Sequence, residues 1–427
     1  MLVYVLNANG QPLMPTKRCG KVRRLLKSKQ AKVVKRCPFT IQLKYETTNY
    51  TQNLTLGIDT GSGVFATAVV NEKNEVLYTS EVKVRNDIHK KMEQRTKYRR
   101  SRRNRKTRYR KARFLNRRAS KKTNRFSPTM ISKFHSHEKE IAFIKKILPV
   151  ESNLIFETGT FDTHLMKNPS LADERIKHWG YQKGTNYGFE NTKAMVLNRD
   201  NYTCQCCKGK HRDSKLEVHH IIFRSKGGSD EADNLVTLCH TCHKKLHAGK
   251  LNLNFNGKEK GTLKYATQMS SIRLQLLANH PEAVETFGYI TKANRIALKI
   301  EKEHYNDACV IATGGKSFTM KSLLYKKVCI PKGDFQQTKG IRSEQSITTA
   351  KIYGFKKYDK VNYLGKKYFI KGRMSTGYAV LMDIDEKKID FSDMPKGWKT
   401  PKLSNCKRIE ARRSWITTSI VLIQNTV

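Results

Sequence analysis

The sequence predicts an α/β protein of several domains, and three observations predict it. Short apolar runs joined by tight polar turns at 53–84 read as antiparallel strands. Apolar residues at helical spacing follow at 132–148 and again at 267–318. Between those helical stretches, 191–250 is rich in cysteine and histidine. At 427 residues the chain exceeds one ordinary domain, so about two to four are expected.

Charge narrows the function classes. Lys+Arg number 84 and Asp+Glu 36, a formal net charge of +48, while apolar residues make up only 38%. Such a charge repels itself in a compact protein unless a polyanion is bound, which points to nucleic acid. The opening MLVYVLNANG lacks a basic leader and a long apolar core, and no run is long enough to span a bilayer. The protein is expected to be cytoplasmic, with no membrane partner. Its ten cysteines are then reduced, and paired ones read as metal ligands.

Taken in order, residues 1–52 open with an extended stretch marked by Pro12 and Pro15. The following RCGKVRRLLKSKQAKVV reads as a short basic helix with Val22, Leu25 and Leu26 inward. Residues 53–84 give three strands: LTLGID, VFATAVV and VLYTSEVKV. From 85 to 125 the composition changes abruptly, with 20 Lys/Arg against two acidic residues. Phe143, Ile144, Ile147 and Leu148 mark a helix stopped by Pro149, and NLIFE at 153–157 is another strand. Polar residues and glycine at 158–190 suggest a connector. Beyond 319, KVNYLGKKYFIKGR and TGYAVLMDID suggest a small barrel-like β domain.

The Cys/His-rich module carries two C-x-x-C pairs, Cys204/Cys207 and Cys239/Cys242, able to offer four thiolates to one tetrahedral Zn²⁺. Between the pairs lie His219-His220 and Asn234, and His243 follows the second pair. A neutral imidazole can take a proton from water near pH 7, and a divalent cation can neutralise a phosphodiester. A purely structural zinc finger with surface histidines is the alternative. The HH pair, the mid-module Asn and the final His resemble the ββα-metal HNH nucleases. That resemblance implies His219 and His243 as Mg²⁺ ligands, His220 as general base and Asn234 as the residue that orients it. His211 and His247 receive no role; His247 shares a helical face with His243 and is expected to be a phosphate contact or surface residue.

Three further segments end apolar elements with a carboxylate: GIDTGS with Asp59, LIFE with Glu157 and EHYNDA with Asp307. Singly, each carboxylate fits a turn or helix cap. Their order, with the Cys/His module between the second and third, resembles a split RuvC-type nuclease of ribonuclease H fold. The resemblance implies Asp59, Glu157 and Asp307 as Mg²⁺ ligands, with His304 as general base or positioning group.

Residues 95–125 interleave arginines with Tyr98, Tyr109 and Phe114. Like charges one turn apart weaken an isolated helix, so this one is expected to firm up on a polyphosphate. Arg95, Arg99, Arg102, Arg103, Arg110 and Arg113 are the expected nucleic-acid contacts; a solvated basic arm is the alternative. The segment resembles the bridge helix of IscB proteins and type II CRISPR effectors, and Pro12-Leu13-Met14-Pro15 resembles the mark of the IscB leading domain.

The resemblance to the transposon-encoded IscB family implies a ribonuclease H-like RuvC core split by the arginine-rich helix and an inserted HNH domain. The expected boundaries are 1–52 leading domain, 53–84 RuvC segment I, 85–128 bridge helix and 129–165 RuvC segment II. A linker at 166–189, HNH at 190–250, RuvC segment III at 251–318 and a β-rich C-terminal domain at 319–427 complete the chain. The implied function is RNA-guided cleavage of both strands of double-stranded DNA by a monomeric prokaryotic ribonucleoprotein. HNH would cut the guide-paired strand and RuvC the displaced one. Partners would be a non-coding guide RNA and a DNA target beside a short motif contacted by the C-terminal domain. Two other classes compete: a protein-only HNH homing or restriction-type enzyme, and a non-enzymatic RNA- or DNA-binding protein. A single nuclease site would mark the first, and missing carboxylates or a missing His220 the second.

Overall fold

The structure is a computed structural model. It describes residues 2–104, 126–331 and 352–422 except 168, 176–179, 182, 253, 258–262, 375 and 396, together with 335–336 and 345–346. Among the described residues no helix is long and apolar enough to cross a membrane. The chain divides into two units, residues 1–159 with 271–427, and residues 160–270.

The larger unit begins with a four-stranded sheet of order β2-β1-β4-β3, formed by β1 (Val3–Leu6), β2 (Pro12–Thr16), β3 (Ala31–Arg36) and β4 (Phe39–Leu43). Helix α1 (Cys19–Lys27) buries Val22 against it, with Leu25 and Leu26 packed beside. The basic helix expected here stops at Lys27, and the β-branched pair Val33-Val34 continues as β3 instead.

The central sheet grows from β5 (Leu54–Asp59), β6 (Val64–Asn71) and β7 (Glu75–Lys83), each antiparallel to the next. α2 (Ile88–Asn104) and α3 (Pro128–Lys145) follow, and then β8 (Leu154–Thr158) lies parallel to β5 on its free side. α3 is capped by Ser127, whose hydroxyl accepts from the Met130 amide, with proline in the first turn.

The smaller unit holds α4 (Thr163–Lys167) and a 3₁₀ turn at Pro169–Ala172, both within the segment 158–190 expected as a connector, and then α5 (Thr192–Arg199). β9 (Leu216–His220) and β10 (Leu235–Cys239) form an antiparallel hairpin, and α6 (His240–His247) leaves directly from it.

α7 (Lys264–Asn279) leads back into the larger unit. β11 (Val284–Phe287), inside a stretch expected to be all helical, lies parallel to β8 at the sheet edge. α8 (Gly288–Ala297) and α9 (His304–Thr313) complete this region. The order β7-β6-β5-β8-β11 is extended beyond β7 by β13 (Leu324–Cys329) and β20 (Trp415–Ile420), while β12 (Thr319–Met320) pairs with β7. Strands β14 (Phe335–Gln336) and β15 (Gln345–Ser346) pair with each other. β16 (Lys360–Tyr363), β17 (Lys366–Arg373), β18 (Ala379–Met382) and β19 (Lys407–Glu410) form an open antiparallel sheet, not the barrel expected. It closes over Val361, Tyr363, Ile370 and Leu381.

Alternation along β6 gives the central sheet two occupied faces. Ala66, Ala68 and Val70 pack with Ala308 and Ala312 of α9. Phe65 points the other way and stacks on His137 of α3 at 4.0 Å. A Cβ at Gly57 would lie 2.5 Å from the Ala312 nitrogen and 2.7 Å from the Ala308 carbonyl oxygen. Only glycine lets α9 sit this close to β5, and that approach brings Asp307 toward Asp59.

The α3 face has a polar interior. Glu140 and Lys327 are both fully buried, with Lys327 Nζ 2.6 and 2.7 Å from the two Glu140 oxygens. Tyr78 and Ser80 donate to Glu140 at 2.7 and 2.8 Å. Nearer the end of β5, Lys133 donates to the Ser62 carbonyl, and the His137 ring meets the Gly61 amide at 3.5 Å. α3 thereby holds the turn that follows Asp59.

Candidate functional site

Three groups of side chains stand out, one in the larger unit and two in the smaller. In the larger unit, register places Asp59, the last residue of β5, opposite Glu157 on β8. Thr60 fixes that end by donating to the Glu157 carbonyl at 2.6 Å. His304, at the start of α9, meets the Asp59 carboxylate through Nδ1 at 2.7 Å. Asp307 lies one turn on, and Arg295 of α8 approaches it at 2.9 Å. Segments far apart in sequence thus converge where β5 and β8 end.

Electrostatics sets this cluster apart from a set of turn residues. Burial pushes the Glu157 carboxyl up to about 7, opposed by a hydrogen bond from Thr291 and reinforced by the negative charges of Asp59 and Asp307. Burial likewise raises Asp307, with the Asp59 charge adding to it. His304 is raised, first by its hydrogen bond to Asp59. Glu157 Oε2 is buried without a hydrogen-bond partner among the described residues, and Asp307 Oδ1 is buried against the Arg295 guanidinium. Desolvated, mutually repelling carboxylates, with one oxygen of Glu157 open, are a donor set suited to a hard divalent cation.

In the smaller unit the four sulfurs of Cys204, Cys207, Cys239 and Cys242 lie within 4.8 Å of one another. Cys239 ends β10 and caps α6, so hairpin and helix meet at this quartet. Such spacing suits one tetrahedral ion. His211 brings Nδ1 to 3.7 Å from the Cys242 sulfur.

On the other side of the hairpin, ligand nitrogens of His219, His243 and His247 also lie within 4.8 Å of one another. His247, expected at the surface or on phosphate, joins this cluster with its Nε2 3.2 Å from that of His243. The reason is helical spacing: four residues apart on α6, both rings face β9. Burial first, then the neighbouring imidazoles, pushes His219 down to about 4. Glu217 takes His243 Nδ1 at 2.6 Å, which leaves Nε2 facing the cluster.

His220 is turned away from this cluster. Strand alternation buries His219 and sends the His220 ring to Asp230, at 2.9 Å from Nε2. Arg224 holds the same Asp230 oxygen at 2.6 Å. Arg224 Nε also lies 3.3 Å from His220 Nε2; in the tautomer whose Nε2–H donates to Asp230, Nδ1 carries the basic lone pair. Asn234 is fully buried. It donates to the Ile222 and Ser229 carbonyls at 3.0 and 2.8 Å and accepts from the Ile222 amide at 2.9 Å. It therefore fixes the loop that joins His220 to Asp230.

Sequence reasoning missed Glu217, Asp230, Thr291 and Arg295. Glu217 lies two residues before the HH pair, on the same strand face as His219, and that spacing was the available signal. Asp230, Thr291 and Arg295 reach their partners only through tertiary structure. Of the expected nucleic-acid contacts, Arg95 and Arg99 stand exposed on α2, while Arg102 and Arg103 lie in its last turn. Arg110 and Arg113 lie outside the described residues.

The sequence matches the RRXRR protein family over residues 3–184 and the HNH endonuclease family over residues 204–249. The first match takes in Arg99-Arg100-Ser101-Arg102-Arg103, a run of the RRXRR form. Anaredoxin of Nostoc sp. strain PCC 7120 is 39% identical over 70 residues, 16% of this chain and 90% of that protein. The type IV methyl-directed restriction enzyme EcoKMcrA of Escherichia coli K12 is 42% identical over 65 residues, 14% of this chain and 23% of that enzyme. Among solved structures, Streptococcus thermophilus Cas9 in complex with the AGAA PAM is 14% identical at a TM-score of 0.34. That likeness covers 57% of this chain and 32% of Cas9, and it does not fix the topology. Residues 204–249, which carry both the cysteine quartet and the three converging imidazoles, are thus an HNH endonuclease domain within this chain.

Proposed function

We propose that this endonuclease is RNA-guided and cuts both strands of double-stranded DNA, using the HNH unit for the guide-paired strand and the carboxylate cluster for the displaced one. The observation that carries a second site is the convergence of Asp59, Glu157, His304 and Asp307, with Glu157 Oε2 buried and without a hydrogen-bond partner among the described residues. The strand order β7-β6-β5-β8-β11, with only β6 reversed, supports a ribonuclease H-like core of RuvC type. The RRXRR match and the PLMP segment support the IscB relationship.

Asp59, Glu157 and Asp307 would hold Mg²⁺ in one site, and His219 and His243, joined by His247, in the other. In both, the cation supplies charge neutralisation of the phosphodiester and of the departing oxygen. The protein's own residues do the rest. His220 takes the proton from the attacking water at Nδ1, and Asp230 stabilises the imidazolium that forms. Asn234 keeps the loop between them in register. His304, held by Asp59, positions water or accepts its proton in the second site. The cysteine quartet would hold one structural Zn²⁺ that fixes α6 to the hairpin. The excess of positive charge and the arginine-rich α2 suit phosphate backbones and discriminate sequence poorly, so discrimination falls to base pairing. The partners are then a guide RNA and a DNA target with a short adjacent motif.

The test is strand-resolved cleavage of a plasmid by protein produced with its neighbouring non-coding RNA. His220→Ala should leave a nick in the displaced strand only, and Asp59→Ala the reciprocal nick. Each intended cut should slow by about 10²–10⁴-fold. Changing only the guide should move the cut. Site-specific cutting that survives removal of all RNA would refute the proposal in favour of an enzyme that reads bases directly.

A further inference from the structure

The carboxylate cluster has an aromatic neighbour that the chemistry above does not use. Strand β11 lies at the sheet edge, with Thr286 opposite Glu157 and Phe287 opposite Thr158. The chain then turns past the carboxylate itself: a Cβ at Gly288 would lie 3.2 Å from Glu157 Oε1. The next residue, Tyr289, is 73% exposed. Its ring is parallel to that of Phe287, at 6° and a centroid separation of 6.2 Å, an offset stack. Two residues further on, Thr291 is buried and bonds Glu157. One short segment therefore supports the carboxylate on its inner side and offers a flat ring to solvent on its outer side.

An exposed aromatic alone is ordinary. What distinguishes this one is its place beside a cluster that must receive a phosphodiester. A phosphate bound there carries a nucleoside, and an unpaired base lacks its stacking neighbours. Aromatic side chains next to a backbone path are the usual remedy, and they accept any base because every base has a π face.

We propose that Tyr289, backed by Phe287, is a stacking platform for an unpaired base of the DNA strand that enters the carboxylate cluster. This rests on reading that cluster as a nuclease site, and it adds how the single strand is seated there. The platform is tolerant of sequence, so it orients the strand without selecting it.

The test uses the full-length protein with Ca²⁺ in place of Mg²⁺, so that strands bind uncut. The probes are short single-stranded DNAs carrying, at one position moved along the strand, either a fluorescent base analogue quenched by stacking or an abasic residue. Wild type should quench the analogue at one preferred position and lose affinity when that position is abasic. Tyr289→Ala should bind intact strand roughly ten- to hundredfold more weakly and become indifferent to the abasic substitution. Tyr289→Phe should retain both behaviours. Unchanged affinity and quenching in Tyr289→Ala, or an equal loss on intact and abasic strands, would overturn the platform. An RNA of the same sequence that shows the base dependence while DNA lacks it would overturn the assignment to DNA. Asp59→Ala separates the two readings, because it should lose displaced-strand cleavage whatever Tyr289→Ala shows. Retained cleavage in that variant sinks the nuclease reading and leaves the stacking result standing.

Discussion

Replacing Lys327 by Met should be among the most damaging single changes to the larger unit. Lys327 bridges both oxygens of Glu140 and also donates to the Tyr78 hydroxyl at 2.7 Å. Its ammonium lies 4.0 Å from the Phe143 ring centre and 4.7 Å from that of Trp415. Methionine fills similar volume, so the change removes charge more than packing. Glu140 then keeps only the Tyr78 and Ser80 hydroxyls against full burial of a carboxylate. Removing one partner of such a pair costs about 3–5 kcal/mol. Adding Glu140→Gln to the variant should recover part of that loss. The amide oxygen still accepts from Tyr78 and Ser80, leaving one neutral donor unmet at about 1–3 kcal/mol. Urea unfolding followed by Trp415 emission, in a background carrying Trp179→Phe and Trp398→Phe, reads this core directly. A Lys327→Met midpoint close to wild type, or a double variant no better than the single one, would refute the reasoning.

Gly57→Ala should force α9 off β5, because its Cβ would lie 2.5–2.8 Å from α9 backbone; about 1–3 kcal/mol of stability should go with it. Strand-resolved cleavage should show the displaced-strand cut weakened and the guide-paired cut kept. Cys242→Ser should release the Zn²⁺ proposed for the quartet, read as lost zinc in elemental analysis of dialysed protein, and with it the proposed guide-paired cut. Acid should act through His137, which complete burial pushes down to about 4. Its folded value is depressed below the unfolded value of about 6.5, so its contribution is fully present above pH ~6.5 and is lost as pH falls toward ~4. That contribution is about 3 kcal/mol. His137→Gln should flatten the urea midpoint across that window, and an unchanged pH slope would count against it.

Much of the site was legible because its residues end strong local patterns. LTLGID and NLIFE are apolar runs whose last residues carry the charge, and the two C-x-x-C pairs declare themselves by spacing. What stayed hidden depends on three dimensions. Asp230 meets His220 only because Asn234 folds the loop between them. Arg295 meets Asp307 only because α8 and α9 lie side by side. β11 is too short, at four residues, to show a period before α8 begins. β13 and β20 were read with a separate C-terminal region. Lys326 and Lys327 interrupt β13, and the burial of Lys327 could not be foreseen without Glu140 opposite.

The place where the smaller unit is inserted bears on how the chain is made. β8 and β11 are adjacent parallel strands, and residues 160–270 are spliced into the connection between them. As the polypeptide leaves the ribosome, β5–β8 can pair before that insert exists, but the edge of the sheet must wait for it. The delay is cheap, since loop-closure entropy grows only logarithmically, about 0.6 kcal/mol per doubling of length. An insert that folds on its own while tethered shortens the effective loop further. Lineages could therefore exchange or lose the inserted unit without redesigning the sheet around it.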